Sequence, residues 1–294
     1  MEKQLRNANA GARFGSPCPV VGMVHLSPLP GSPRWEGAME PVLERAMADA
    51  RSLVKGGVDG VLVENFGDVP FHPGPVPPET VAALTLAVNW VQAAVEDGAG
   101  VGDPHPDRTP LPVGLNVLRN DARSGVGIAA ATGAAFLRVN VHTGSMFTDQ
   151  GLLEGRAHET LRERTRLAPG LLLLADVHVK HATPPAGASL EEAARDAVHR
   201  GLADILVVSG SGTGQATDPE RIRRVRRAVP DTPVWVGSGA DTTSAEALVG
   251  AGAQGFIVGT ALHRNGEAGR RIDPARVRAF VAAVRQATAR QAAG

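Results

Sequence analysis

The chain has 294 residues, 30 basic and 30 acidic, for a formal charge of zero, and 43% of it is hydrophobic. That length and apolar content suit one large α/β domain, while the balanced charge argues against nucleic acid or an anionic membrane as a partner. A single cysteine, Cys18, excludes an internal disulfide framework and suits a reducing compartment.

Residues 1–16 are polar and rich in Gly, Ala, Arg and Asn, so they read as a flexible N-terminal segment, with the folded domain over 17–294. No apolar run of secretory type opens the chain, and no stretch reaches about 18 uninterrupted apolar residues. A cytoplasmic protein with no membrane insertion is the expectation.

From there, short apolar runs alternate with longer segments of helical period, the pattern of parallel βαβ units. The first strand is expected over 20–24, followed by a helix over 40–55 that stops at Gly56 and Gly57. The second pair is 60–63 and 78–96, the third 113–117 and 121–132, the fourth 136–141 and 154–167. The fifth strand, 171–177, precedes a helix over 190–200 whose start at Ser189, with Glu192 three residues on, reads as a capping box. The sixth pair is 205–208 and 219–228, with Asp218 as N-cap and Pro219 at the first helical position. The seventh is 234–236 and 244–249, and the eighth strand is 255–258. A last helix over 274–286 carries Val277, Phe280, Val281 and Val284 on one face.

Eight such units predict a closed (β/α)8 TIM barrel rather than an open doubly wound sheet, which usually has fewer strands. Segment 97–112 precedes a strand, so it belongs at the N-terminal face as a surface insertion. Segments 66–78 and 143–153 follow strands, so they belong at the C-terminal mouth, where barrels place lids and specificity loops.

The chain's last third carries the strongest chemical signal. Strand six runs into Ser209, Gly210, Ser211, Gly212, Thr213 and Gly214; strand seven into Gly237, Ser238 and Gly239; strand eight into Gly259 and Thr260. Barrels that bind phosphate hold it on backbone N–H groups of the loops after strands seven and eight. Glycine lets the backbone approach the oxygens, and Ser238 and Thr260 add hydroxyl donors. Plain tight turns are the competing reading of the same glycines.

Polar residues crowd the other strand ends: His25, Glu64, Asn65, Asn116, Arg119, Asn120, Asn140 and His142. Asp176, His178 and Lys180 alternate, so an extended backbone would set all three on one face. Barrel interiors normally hold branched apolar side chains, and inward polar groups are costly unless something satisfies them. Asp176 and His178 are candidates for an acid–base pair, with His25 and Glu64 as further catalytic candidates. Asn116, Arg119, Asn140 and His142 are candidates for substrate binding.

Only Lys3, Lys55 and Lys180 are lysines in an arginine-rich chain. Lys180 could hold a phosphate or carboxylate, form a Schiff base if desolvated, or simply pair with Asp176. No organic cofactor is expected, since no dinucleotide fingerprint follows the first strand. A divalent metal on Asp176 and a histidine, with Glu64 or His25, is an alternative. His72, His105, His158 and His199 read as surface residues.

Several blocks together carry a family resemblance. They are 21–26 with 28–31, 63–68, 114–121, 138–144 with 148–151, 175–182, 209–214 and 236–239. On these the chain resembles the BtpA/SgcQ family, over about residues 20–262. The resemblance implies a ribulose-phosphate-binding type of barrel. It also implies two uses: a role in photosystem I assembly in cyanobacteria, and a place in sugar metabolism elsewhere. One departure stands out. A lysine-containing segment is expected after Thr260, where this chain has Ala261, Leu262, His263, Arg264, Asn265 and Gly266, leaving His263 or Arg264 as the substitute charge.

The leading expectation is thus an enzyme acting on a phosphorylated sugar-like or nucleotide-like molecule by isomerase, lyase or glycosyl-transfer chemistry. The alternatives are a non-catalytic assembly or stability factor and a metal-dependent hydrolase of phosphorylated nucleosides. Self-association into a homo-oligomer is expected by analogy with other barrels.

Overall fold

The computed structural model describes residues 13–100, 111–210 and 216–293. In chain order the elements are β1 (Val20–His25), α1 (Glu40–Gly56), β2 (Gly60–Glu64), α2 (Pro78–Gly100), β3 (Val113–Asn116), α3 (Ala122–Thr132) and β4 (Phe136–Val139). A hairpin of β5 (Ser145–Thr148) and β6 (Gly151–Glu154) precedes α4 (Ala157–Leu167) and β7 (Leu172–Val177). Then come β8 (Ala182–Thr183), α5 (Leu190–His199), β9 (Ile205–Val208), α6 (Pro219–Ala228), β10 (Val234–Val236), α7 (Ala245–Gly250), β11 (Phe256–Val258) and α8 (Pro274–Ala293).

Eight strands close into a parallel barrel in the order β1, β11, β10, β9, β7, β4, β3, β2, as the strand count predicts. Helix ends follow their sequence signals. Ser189 accepts the Glu192 N–H and Asp218 accepts the Glu220 N–H, satisfying donors left free at the first turn. The apolar stripe of α8, with Val277, Phe280, Val281 and Val284, is buried as expected.

Two apolar layers result. One lies between strands and helices; the other fills the barrel with Val21, Met23, Leu62, Phe136, Leu172, Leu174, Ile205, Val207, Trp235 and Ile257. Phe14 belongs to that inner layer, its ring centroid 5.4 Å from Phe136 and 5.0 Å from Trp235. The flexible segment assigned to 1–16 is therefore corrected at Phe14, which is buried at the barrel floor; residues 1–12 lie outside those described. The insertion expected over 97–112 falls on the end of α2, then on residues 101–110, which also lie outside them.

The 143–153 segment forms an antiparallel hairpin rather than an open loop, and β8 adds a third strand to it. Glu154 closes that hairpin, so α4 starts at Ala157 and not at 154. Alternation over so few residues gives too weak a period to separate a short strand from a loop. Among the described residues, no helix is long and apolar enough to cross a membrane.

Candidate active site

The eight barrel strands point inward at alternate residues, and one layer up from the apolar filling every inward position is polar or glycine. Met23 is followed by His25, Leu62 by Glu64, Gly114 by Asn116, Phe136 by Arg138 and Leu174 by Asp176. Val207 is followed by Ser209, Trp235 by Gly237 and Ile257 by Gly259. Strand register aligns part of this belt laterally, with His25 beside Glu64, Glu64 beside Asn116, and Asn116 beside Arg138. One half of the mouth is thus charged or amide-bearing, and the other half is small.

Arg138 organises the charged half, and sequence reasoning passed over it. Its Nε and terminal nitrogen donate to the two oxygens of Asp176, each at 2.9 Å, and Asn140 donates to Asp176 at 3.1 Å. Burial and the Asp176 carboxylate act oppositely on Arg138, and the carboxylate wins, holding the guanidinium above its ordinary range. The signal was present: Arg138 sits two residues before Asn140 on the same inward face.

Nearby, Asn116 donates to Glu64 at 2.7 Å. His25 Nε2 lies 3.7 Å from the other Glu64 oxygen, and Phe66 stacks on the imidazole with centroids 4.3 Å apart. Burial, then the neighbouring His263, Lys180 and Arg138, hold His25 well below its ordinary 6.5. The ring is therefore neutral at pH 7, and its contact with Glu64 is not an ion pair. His25 Nδ1 is buried with no hydrogen-bond partner among the described residues.

The two strand-end glycines make space for these groups. A Cβ on Gly237 would stand 2.3 Å from Val207 Cγ1, 2.7 Å from Ser209 Oγ and 3.0 Å from an Arg138 nitrogen. A Cβ on Gly259 would stand 2.8 Å from His25 Cε1. Gly239 adopts φ 70°, where a side chain is strained. The result is one cavity of about 210 Å3 that joins His25, Glu64, Arg138 and Lys180 to Gly237, Ser238, Gly239, Gly259 and Thr260. Ser238 Oγ, in that lining, is buried without a partner among the described residues, as is Ser209 Oγ at the end of β9 beneath Gly237.

Other candidates are placed differently. Asp176, His178 and Lys180 do not share a face, because β7 ends at Val177 and His178 turns to φ 51°. Lys180 lines the central cavity, whereas His178 lines a second one with Asn140, Asp176, Pro184, Pro185 and Ser189. Burial, then Arg221 and Arg224, lower the His178 pKa. Asp176 and His178, the expected acid–base pair, both line that second cavity, but the Asp176 carboxylate is taken up by Arg138 and Asn140.

His142 is buried in the wall, with Nε2 2.7 Å from the Gly201 carbonyl oxygen, and does not line the central cavity. Arg119 is buried and donates to the Lys180 carbonyl at 2.8 Å. Asn65 and Asn120 serve the backbone, accepting the N–H groups of Leu118 and Val141. Ser211, Gly212 and Thr213 lie outside the described residues, while Gly210 is buried at the end of β9. His72, His158 and His199 are exposed, and His105 lies outside the described residues.

The substitute charge beyond Thr260 is corrected too. His263 is buried, its Nδ1 2.6 Å from the Arg270 carbonyl oxygen, and Arg264 is exposed. Beyond Thr260 the cation that lines the cavity is Arg276, at the start of α8, which donates to the Ala261 carbonyl at 2.8 Å. Among the described residues, no three His, Cys, Asp or Glu side chains stand together as a metal-ligand cluster.

The model of the BtpA family matches residues 17–286. The chain belongs to the BtpA family. It is 47% identical over 266 residues to Photosystem I biogenesis protein BtpA of Synechocystis, covering 90% of this chain and 88% of that one. An uncharacterized protein of Pyrococcus furiosus is 43% identical over 249 residues, covering 85% and 88%. Among solved structures, thiamine phosphate pyrophosphorylase from Pyrococcus furiosus superposes with a TM-score of 0.56 at 14% identity, over 96% of this chain and 98% of that one. The (S)-3-O-geranylgeranylglyceryl phosphate synthase of Thermoplasma acidophilum, in complex with sn-glycerol-1-phosphate, gives 0.56 at 13%, over 95% and 98%. At those identities the structural likeness speaks to the barrel alone.

Proposed function

We propose that this BtpA-family barrel binds the phosphate of a sugar-like or nucleotide-like small molecule and acts on its other half by acid–base chemistry. The observation that carries the reading is the single cavity spanning both halves of the mouth. Its small half offers the turn Gly237–Gly239 and the step Gly259–Thr260, the buried, unpartnered hydroxyl of Ser238, and Arg276 as counter-charge. The sequence assigns Gly210, Ser211, Gly212 and Thr213 to the same phosphate contact; of these only Gly210 is among the described residues. The charged half offers His25 as a neutral base with a bare nitrogen, and Glu64 held by Asn116. Asp176 acts as a positioning residue that fixes Arg138.

A thermal-shift screen tests this with inorganic phosphate, sugar phosphates, nucleoside monophosphates and divalent cations, on wild type and Ser238→Asp. A ligand at about 100 times its Kd adds about 2.7 kcal/mol, or about 5–10 °C for a domain of this size. A phosphorylated compound should shift the wild type and fail on Ser238→Asp. No shift from any phosphorylated compound would refute the reading.

A second reading, a non-catalytic assembly or stability factor, is favoured by the similarity to the Synechocystis biogenesis protein. The hairpin pair Phe147 and Leu152, 54% and 52% exposed, would then be a contact surface. On that reading Lys180→Ala and Asp176→Asn variants that still fold would keep full biological activity.

A further inference from the structure

Lys180 had three possible uses in the sequence, and the structure removes the plainest one. The carboxylate of Asp176 is already engaged: Arg138 takes both oxygens at 2.9 Å and Asn140 adds a third bond at 3.1 Å. Among the described residues, no carboxylate lies within ion-pairing distance of the Lys180 nitrogen, although Glu64 and Asp176 are near enough to act on it through space. The lysine nonetheless faces the central cavity beside His25, Glu64 and Arg138.

Its backbone is held there. Arg119 donates to the Lys180 carbonyl at 2.8 Å, and the flanking His178 and His181 adopt φ 51° and 55°. Left-handed backbone at two residues that carry side chains persists only where the surroundings impose it, and such sites cluster where chemistry needs fixed geometry. Those turns replace the extended run that would have set Lys180 on one face with Asp176 and His178. Arg276 lines the same cavity and offers a phosphate a second cation, so the phosphate charge does not depend on Lys180 alone.

Burial is the largest influence on the Lys180 amine, and Arg138 and Arg119 add to it. Together they outweigh Glu64 and Asp176, so the pKa falls below its ordinary 10.5. A larger share of the side chain is then the neutral amine, the form that attacks carbon.

We propose that Lys180 is a covalent nucleophile that forms a Schiff base with the carbonyl of a phosphorylated aldehyde or ketone. This rests on the phosphate-binding reading above and adds the chemical class of the substrate's other half. The nitrogen lone pair forms the C–N bond while the carbonyl π pair moves to oxygen. A proton passes from nitrogen to that oxygen, giving the carbinolamine. The hydroxyl then takes a second proton and leaves as water, and nitrogen supplies the pair that makes C=N. One water is released, with no oxidant or reductant consumed. His25 and Glu64, which line the same cavity as Lys180, are assigned to carry the protons.

The test uses the full chain with glyceraldehyde 3-phosphate, dihydroxyacetone phosphate and plain glyceraldehyde, each with sodium cyanoborohydride to reduce any imine. Intact mass counts the adducts, and peptide mapping places them among Lys3, Lys55 and Lys180, the chain's three lysines. The proposal expects one stable adduct, on Lys180, from a phosphorylated carbonyl, and its loss in Lys180→Arg. An adduct spread equally over exposed Lys55 and Lys180, or none on Lys180, overturns it; the wild-type map decides this even if Lys180→Arg folds poorly. A melting shift by inorganic phosphate on the same sample separates the two readings. Phosphate shift without a Lys180 adduct sinks the Schiff base alone. A Lys180 adduct from plain glyceraldehyde, with no phosphate shift, supports the nucleophile and sinks the phosphate reading.

Discussion

Replacing Arg138 by Met would remove both donors that meet Asp176 at 2.9 Å, where the two side chains are 2% and 0% exposed. Asp176 would keep only the Asn140 bond at 3.1 Å. Stripping one partner from a buried ion pair costs about 3–5 kcal/mol, because the other charge is left uncompensated. At about 2–4 °C per kcal/mol for a chain of this size, the melting temperature should fall by about 6–20 °C. Urea unfolding followed by circular dichroism measures the free energy, and calorimetry the midpoint. The double variant Arg138→Met with Asp176→Leu removes both charges at similar volume, so it should recover most of the loss. A single variant costing under about 1 kcal/mol would mean the pair behaves like an exposed one. A double variant as unstable as the single one would mean that shape, not charge, is what Arg138 supplies. Either result refutes the reasoning.

Three further predictions concern the floor, the glycine and the histidines. Phe14→Ala should cost about 3–5 kcal/mol in urea unfolding, since its ring is 4% exposed and packs on Phe136 and Trp235. Gly237→Ala should cost about 1–3 kcal/mol by overpacking against Val207 and Ser209, and should also abolish ligand-induced melting shifts. His25, His142 and His263 all have pKa values lowered from 6.5, chiefly by burial. Below about pH 6.5 the unfolded chain takes up protons that the folded chain refuses, so stability falls as pH drops from about 7 to 5, by up to about 1.4 kcal/mol per pH unit for each histidine. His25→Asn should flatten that slope when unfolding is measured across the range; a slope unchanged in the variant would contradict the neutral buried ring.

The barrel was legible because eight apolar runs alternate with segments of helical period, some of them opened by clear caps such as Ser189 and Asp218, and point to one topology. The mouth was legible only in part. Period two placed Glu64, Asn116, Asn140 and Asp176 inward, but it also placed Arg138 inward, and an arginine inside an apolar strand is easily taken for an outward residue. The extended rule failed at His178, where backbone turning, a tertiary constraint, replaced alternation. The hairpin over β5 and β6 was hidden by its shortness, and its third strand, β8, pairs with it from more than thirty residues downstream. Arg276 was beyond reach for a similar reason: it lines the cavity from α8, sixteen positions after Thr260. His142 followed the strand-end pattern yet turned into the wall, a choice set by the Gly201 carbonyl that sequence spacing does not encode.

The measurement closest to the central claim is diffraction from crystals of the full chain soaked with tungstate, a heavy-atom mimic of phosphate. The account predicts an anomalous peak in the cavity, within about 3–4 Å of the backbone nitrogens of Ser238, Gly239 or Thr260 and facing Arg276. A peak only beside exposed arginines such as Arg223 and Arg227, with the cavity empty at saturating anion, would contradict it.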